Sequence, residues 1–238
     1  MGLSIAMWAV AVVGLALLGA AGPAYRLGAS LGSAFAIVRW AAIIALCGAA
    51  LSAGALWWSR RKARTGAAVF AGFGVLIGVL TAGVGYGWLR QAQAVPAGLH
   101  DVTTDLENPP SFEALAALRP PASQTATPSP AVVSLQRLHY PDLAPVIVAR
   151  PVALVFERAR LVAENQGWTI VASDPATGRL EATDTTRWFG FSDDVVVRLT
   201  PWGAGTRVDM RSASRNGSAD TGTNARRIRR FLTAIQAP

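Results

Sequence analysis

The residues with the types and spacing to do chemistry concentrate in residues 207–230, RVDMRSASRNGSADTGTNARRIRR. The pattern predicts a strand with Val208 and Met210 on one face, a polar loop, and a helix whose apolar stripe includes Ile228 and Leu232. Backbone N–H groups at the start of a helix attract anions, and nearby guanidinium groups add charged donors. The stretch is therefore a candidate anion-binding surface.

The candidate ligand-binding residues come from this stretch and from the strand predicted before it. Arg198, Arg211 and Arg215 would take an anionic group such as a lipid phosphate or a carboxylate. The polar members of the set are Asp209, Ser212, Ser214, Asp220 and Asn224. In an alternative interpretation the charged residues form cross-strand ion pairs on a solvated face, each worth roughly 0.2–1 kcal/mol.

A hydrolytic site is the alternative chemistry, with Ser212 or Ser214 as the nucleophile. The carboxylates that would assist it are Asp193, Asp194, Asp209 and Asp220. A serine nucleophile needs a base within hydrogen-bond reach, and no local motif supplies one. Both serines also share the strand parity of the apolar residues before them, which points them toward the helices. We therefore expect no catalytic residue, no metal and no cofactor.

The elements that position these residues predict an α+β domain: a helix, a four-stranded antiparallel sheet and a second helix. Apolar residues at helical spacing follow Pro151 and stop at Gly167. Strands are predicted at 168–173, 179–183, 194–199 and from 206, because apolar and polar residues alternate there between turn signals. Both helices would pack on one face of the sheet and leave the other face uncovered.

Three uncharged runs at 3–22, 40–58 and 66–89 are each long enough to cross a bilayer, which needs ~20 residues. The first run has a second interpretation as a signal peptide cleaved near Ala21. Residues 59–65 hold four basic residues, so the positive-inside rule places this loop and the N-terminus in the cytoplasm. The C-terminal domain would then lie in the periplasm of a bacterium, anchored in the inner membrane.

Small residues at helical spacing in the third run predict close helix packing. The glycines concerned are Gly74, Gly78, Gly83 and Gly87. They would serve either homo-oligomer formation or packing among the chain's own three helices.

The net charge of +8 does not indicate a nucleic-acid partner. Seven of the 22 basic residues and none of the 14 acidic residues precede Asp101, so the rest of the chain is nearly balanced. We divide the chain into a transmembrane region at 1–90, a connector at 91–133 and the α+β domain at 134–238. The connector includes a Pro/Ala/Ser/Thr-rich stretch, 122–131, that we expect to be mobile. The expected partners are the lipid bilayer and an anionic small molecule, lipid or envelope protein.

Five segments after Leu99 resemble the bacterial and plastid family filed as domain of unknown function number 1499. They are 100–112 (HDVTTDLENPPSF), 140–143 (YPDL), 178–183 (GRLEAT), 190–198 (GFSDDVVVR) and 209–228 (DMRSASRNGSADTGTNARRI). Proteins similar to this family often carry the domain after membrane spans. The family has no agreed activity, so the resemblance implies a fold and a compartment and no catalytic residues.

Overall fold

The computed structural model describes residues 2–96, 98–120, 128–215 and 221–237. It divides into two compact units. The first contains the described residues up to Gln91 together with Arg187–Gly190, and the second contains the other described residues.

The first unit is built on three long helices, α1 (Gly2–Arg26), α2 (Leu31–Arg61) and α3 (Thr65–Ala94). Each is long and apolar enough to cross a membrane. At 1.5 Å per residue, ~20 residues span the ~30 Å hydrocarbon core, and all three helices exceed that length. The prediction of three apolar membrane helices is confirmed.

Small residues let α1 and α2 approach closely. A Cβ atom on Gly14 would lie 2.7 Å from the Cβ of Ala45, and one on Gly48 would lie 2.5 Å from the backbone nitrogen of Ala11. Real side chains do not tolerate such separations, so these two contacts require glycine. In lipid the hydrophobic effect does not hold helices together, so the van der Waals contacts of closely packed backbones stabilise the pair.

The four glycines of α3 fall into two pairs. A Cβ on Gly74 would lie 2.2 Å from the Ser52 hydroxyl of α2, and one on Gly78 would lie 2.4 Å from a backbone oxygen of the same helix. Among the described residues, no atom lies within 4 Å of the corresponding position at Gly83 or Gly87. The first pair therefore serves packing within the chain, whereas the second faces open space.

The second unit is built on an antiparallel sheet of six strands, not four. The strands are β1 (Asp101–Thr103), β2 (Val146–Val148), β3 (Thr169–Asp174), β4 (Arg179–Thr185), β5 (Ser192–Trp202) and β6 (Gly205–Ser214). Their order is β1-β6-β5-β4-β3, and β2 also pairs with β6. The four longer strands are those that the alternation predicts. The prediction missed β1 and β2 because three residues are too few to show a period of two.

The two short strands share the outer edge of β6. Asp101 pairs with Ala213 near one end of β6, and Val146 pairs with Val208 nearer the other. An open strand edge is a template for pairing with other chains. Two segments distant in sequence therefore protect the edge of the central strand pair.

Two helices, α5 (Val152–Asn165) and α6 (Thr223–Gln236), pack on one face of the sheet as predicted. Phe156 and Phe231 are buried there with the inward residues of the strands. The ring of Trp168 stacks on that of Phe231 with centroids 5.4 Å apart. The core of the second unit lies between these helices and the sheet.

A further helix, α4 (Pro130–His139), begins inside the stretch that we expected to be mobile. Residues 122–127 of that stretch lie outside the described residues. The Ser129 hydroxyl accepts a hydrogen bond from the Val132 backbone nitrogen, which caps α4. The Gln136 side chain bonds the backbone of Thr103 in both directions, at 3.1 and 2.5 Å, so α4 is tied to β1.

Residues 104–120, which we call the covering segment, lie over the face opposite α5 and α6. Phe112 and Leu115 are buried there against Val196 and Ala213. The Glu181 carboxylate, fully buried, accepts hydrogen bonds from the backbone nitrogens of Glu113 and Leu115 at 2.8 and 2.9 Å. The expectation of an uncovered face is therefore wrong. Sequence periodicity missed this layer because the segment has only one short 3₁₀ turn, Ala116–Leu118.

Candidate functional site

The sheet separates the predicted ligand-binding residues into two groups. Successive side chains of a strand point to opposite faces, so Asp209 and Arg211 lie under the covering segment, whereas Ser212 and Ser214 lie toward the helices. Asn224 lies on α6 and joins the helix-side group. Asp220 lies outside the described residues. The described members of the predicted set therefore lie on two different faces of the sheet.

On the covered face, Arg198 and Arg207 lie beside two carboxylates. Arg207 donates to both oxygens of Asp209, at 2.9 to 3.2 Å, and to Asp105 Oδ2 at 2.9 Å. Arg198 Nη2 lies 3.1 Å from the same Asp105 oxygen and 3.2 Å from Asp209. The hydrogen bond to Asp209 raises the pKa of Arg207, although partial desolvation opposes the shift. Asp105 thus supplies an internal anion to two arginines.

Arg211 is held more completely. Its Nε and Nη2 donate to the two oxygens of Asp101 at 2.8 and 2.6 Å, and its Nη1 donates to the Pro110 carbonyl. The guanidinium also lies 5.1 Å from the centre of the Phe112 ring. Only 3% of Arg211 is exposed. This bidentate pair joins β1 and the covering segment to β6, which is a structural role.

Arg215 shares a buried carboxylate with an arginine of the covering segment. Its Nε and Nη2 donate to Asp194 at 3.2 and 2.6 Å, and Nη2 also donates to the Thr183 hydroxyl. Arg119 Nη1 donates to the same carboxylate at 2.8 Å. Asp194 is fully buried, so both cations offset the cost of removing its charge from water.

One donor on this face, Arg198 Nε, has no acceptor among the described residues. Arg198 Nε is buried and makes no hydrogen bond with any described residue, although Nη2 of the same side chain bonds Asp105 and the Asn108 carbonyl. A buried donor without a partner costs about 1–3 kcal/mol, so such groups call for a ligand, a water molecule or a functional reason. About a fifth of the Arg198 side chain is exposed, at 21%. Arg198 is therefore the predicted site residue that keeps an unsatisfied donor among the described residues.

The helix-side group forms a separate buried network around Arg227. Its Nη1 donates to Ser212 Oγ at 2.9 Å and to Asn224 Oδ1 at 2.6 Å, and its other nitrogens donate to Asp184 and Asp193 at 2.7 to 2.9 Å. Arg227 is fully buried. The guanidinium places all its donors on these four side chains and lies between the two carboxylates, so the cluster is structural.

Among the described residues, no base is placed to activate Ser212 or Ser214. Ser212 Oγ bonds to Asn224 and Arg227, and neither group can accept a proton from it. Ser214 Oγ accepts from Asn224 Nδ2 at 3.1 Å. His100 joins the network through its backbone carbonyl, and its imidazole Nδ1 makes no hydrogen bond with a described residue.

Arg227 is the residue that the sequence reasoning missed. A signal was present, because Asp184 and Asp193 continue the inward alternation of Ala182 and Val195 toward the helices. The two aspartates are direct cross-strand partners. Two carboxylates that face each other need a cation between them. Helix α6 contains four arginines, and Arg227 is the one that points inward.

Residues 101–235 match the family DUF1499, which is described as a protein of unknown function. No curated protein matches the chain. The matched region begins at β1 and ends in the last turn of α6, so it includes the covering segment and both charged clusters. Because the match extends over more than half of the sequence, the chain belongs to the DUF1499 family.

Proposed function

We propose that the chain is a membrane-anchored binding or assembly module that performs no reaction of its own. Its second unit would recognise an anionic group of a small molecule, a lipid or an envelope protein. The observation that carries this proposal is the buried Nε–H of Arg198, which has no partner among the described residues, beside the partly exposed Arg207.

We propose that an external anion replaces or joins the Asp105 carboxylate as a partner of Arg198 and Arg207. Asp105 contributes one oxygen to both Arg198 and Arg207 and is only partly buried, at 14% side-chain exposure. An external carboxylate or phosphate with two or three oxygens would reach Arg198 Nε as well as these shared donors. Binding would then displace the Asp105 side chain or bridge to it. Arg211 and Arg215 would keep the surface folded rather than contact the ligand.

We further propose that the second unit lies in the periplasm of a bacterium with the anchor in the inner membrane. Residues 59–65, between α2 and α3, carry four basic residues and no acidic one. The positive-inside rule favours a cytoplasmic location for this turn, and three spans then direct the chain after α3 to the other side. Self-association through Gly83 and Gly87 remains compatible with this arrangement.

The binding proposal is tested with the full chain in detergent and two probes, inorganic phosphate and succinate. Either probe is expected to raise the unfolding temperature of the parent in a concentration-dependent way, because a ligand of the folded state stabilises it. Arg198→Gln should abolish that rise. Arg160→Gln is the matched control, because Arg160 is a partly exposed arginine paired with Glu157 and Glu164 on α5. Equal responses in all three proteins would refute the site.

Topology is tested with single cysteines in a Cys47→Ser background. Ala204→Cys lies in the exposed turn between β5 and β6, and Ala63→Cys lies in the turn between α2 and α3. In intact spheroplasts a membrane-impermeant maleimide should label the first cysteine and should label the second only after lysis. The reverse pattern would place the second unit in the cytoplasm.

A further inference from the structure

A groove of about 510 Å³ runs along the membrane helices near the turn that joins α2 to α3. It is lined by Ala53, Leu56, Trp57, Arg60, Arg61 and Val75. At 1.5 Å per residue, the lining part of α2 is about 12 Å long. The groove therefore begins among apolar side chains and ends at two arginines.

The arginine end has the features of a bilayer interface. The guanidinium of Arg61 lies 4.0 Å above the ring of Trp57, and the ammonium of Lys62 lies 5.7 Å from the ring of Trp58. Amphipathic rings and long basic side chains concentrate at the headgroup level of membranes. The apolar part of the groove then lies at the depth of the acyl chains.

The basic residues at this end have no carboxylate to pair with in their own unit. No Asp or Glu precedes Asp101, and residues 187–190 contain none. None of the ion pairs found among the described residues includes Arg60, Arg61, Lys62 or Arg64. Four cations around one end of an apolar groove are complementary to a molecule with an anionic head and an apolar tail.

We infer that this groove binds an anionic phospholipid, with one acyl chain along Ala53, Leu56 and Val75 and the phosphate at Arg60 and Arg61. A zwitterionic phospholipid fits the same apolar part but brings no net negative charge to the arginines. The inference concerns the first unit only and does not depend on the proposed function of the second unit.

The test is native mass spectrometry of the full chain, titrated in detergent with phosphatidylglycerol or phosphatidylcholine of identical acyl chains. Attraction of an anionic surface amounts to about 1 kcal/mol per basic residue, so two arginines should favour phosphatidylglycerol by about tenfold or more in dissociation constant. Arg60→Gln/Arg61→Gln should remove most of that preference. Soluble glycerol phosphate should not compete, because it lacks the acyl chain.

The matched control is Arg39→Gln/Arg90→Gln, which removes two exposed arginines near the opposite ends of α2 and α3. It should retain the preference. Ala53→Trp fills the groove without changing charge and should weaken both lipids. The inference is overturned if the parent binds the two lipids equally, if the control loses as much preference as the Arg60/Arg61 variant, or if Ala53→Trp leaves binding unchanged while its helix content matches the parent.

Discussion

Both faces of the sheet carry arginine–carboxylate pairs, but the pairs differ in burial and in how completely the arginine donors are used. Toward the helices, Arg227 is fully buried and donates to Asp184, Asp193, Ser212 and Asn224. Under the covering segment, Arg198 is partly exposed, shares Asp105 and Asp209 with Arg207, and has one donor without a partner in the described part of the chain. We propose that an arginine–carboxylate pair is structural where all its donors are paired and available for a ligand where one donor is left over.

The difference follows from the cost of burying charge. Removing one partner of a buried pair leaves an uncompensated charge and costs about 3–5 kcal/mol, whereas exposed pairs are worth about 0–1 kcal/mol. Full burial therefore requires complete pairing, as around Arg227. Incomplete pairing occurs at Arg198, whose side chain as a whole is 21% exposed.

The strongest test of the comparison is Arg227→Met, which leaves Asp184 and Asp193 facing each other without a cation. We expect the free energy of opening of β4 and β5 to fall by about 3–5 kcal/mol. Hydrogen exchange of the full chain, followed by mass spectrometry, measures this locally. Adding Asp184→Asn and Asp193→Asn should recover part of the loss. A loss below about 1 kcal/mol in the single variant would contradict a structural role for the cluster.

A second test concerns the covering segment. Glu181→Ala leaves the backbone nitrogens of Glu113 and Leu115 without their acceptor, and hydrogen bonds to a charged group contribute about 1.5–3 kcal/mol. We expect exchange to rise in residues 111–118 far more than in α5 or α6. Glu157→Ala on the exposed side of α5 is the control. A uniform rise across the second unit would show that the segment and the sheet open together.

A third test compares Arg211→Gln with Arg198→Gln, the variants of a well-paired and an incompletely paired arginine on the covered face. Arg211 is 3% exposed and holds Asp101 with two nitrogens, so its loss should destabilise the second unit by about 1.5–3 kcal/mol. Arg198→Gln should cost less than about 1 kcal/mol, because Asp105 and Asp209 both keep Arg207 as a partner and the Arg198 side chain is 21% exposed. Urea unfolding measures the free energy of unfolding of both variants and of the parent. Equal losses would remove the distinction between structural and available arginines.

The smallest loss of stability is expected at an exposed ion pair, which gives a reference value for the buried pairs. Arg229, two residues from Arg227 on α6, bonds Asp142 at 2.6 and 2.7 Å, and both side chains are at least 40% exposed. The hydrogen bond from Arg229 lowers the pKa of Asp142 from its ordinary value of 3.8, despite slight desolvation. Asp142→Asn should therefore cost about 0.2–1 kcal/mol at neutral pH.

The pH dependence of this cost has a definite sign. A lowered folded-state pKa stabilises the protein above the unfolded-state pKa and ceases to do so as pH falls through the folded-state value. The stability difference between parent and Asp142→Asn should be constant from pH 7 to about pH 5, should begin to fall near the ordinary pKa of 3.8, and should be lost as pH falls through the lowered folded-state pKa. Thermal unfolding across that range measures it. A difference that persists at pH 2 would show that the pair does not act through its charge.

The sequence by itself determined the features that depend on neighbours along the chain. Three apolar runs predict three membrane-length helices, because crossing a bilayer is a matter of length and hydropathy. Alternation likewise predicts the four long strands, and the spacing of Phe156 and Ile228 predicts that α5 and α6 pack on one face. These are local periodicities, and packing did not override them.

Only the tertiary structure decided which charges are buried and which remain available. Asp101 and Arg211 are 110 positions apart, and Asp194 receives Arg119 from the covering segment across 75 positions. Each of these residues, read in its own stretch, is a solvated charge. Their pairing depends on β1 and the covering segment returning to β6, which no local pattern encodes, because burial of a charge is set by the partner that folding brings to it.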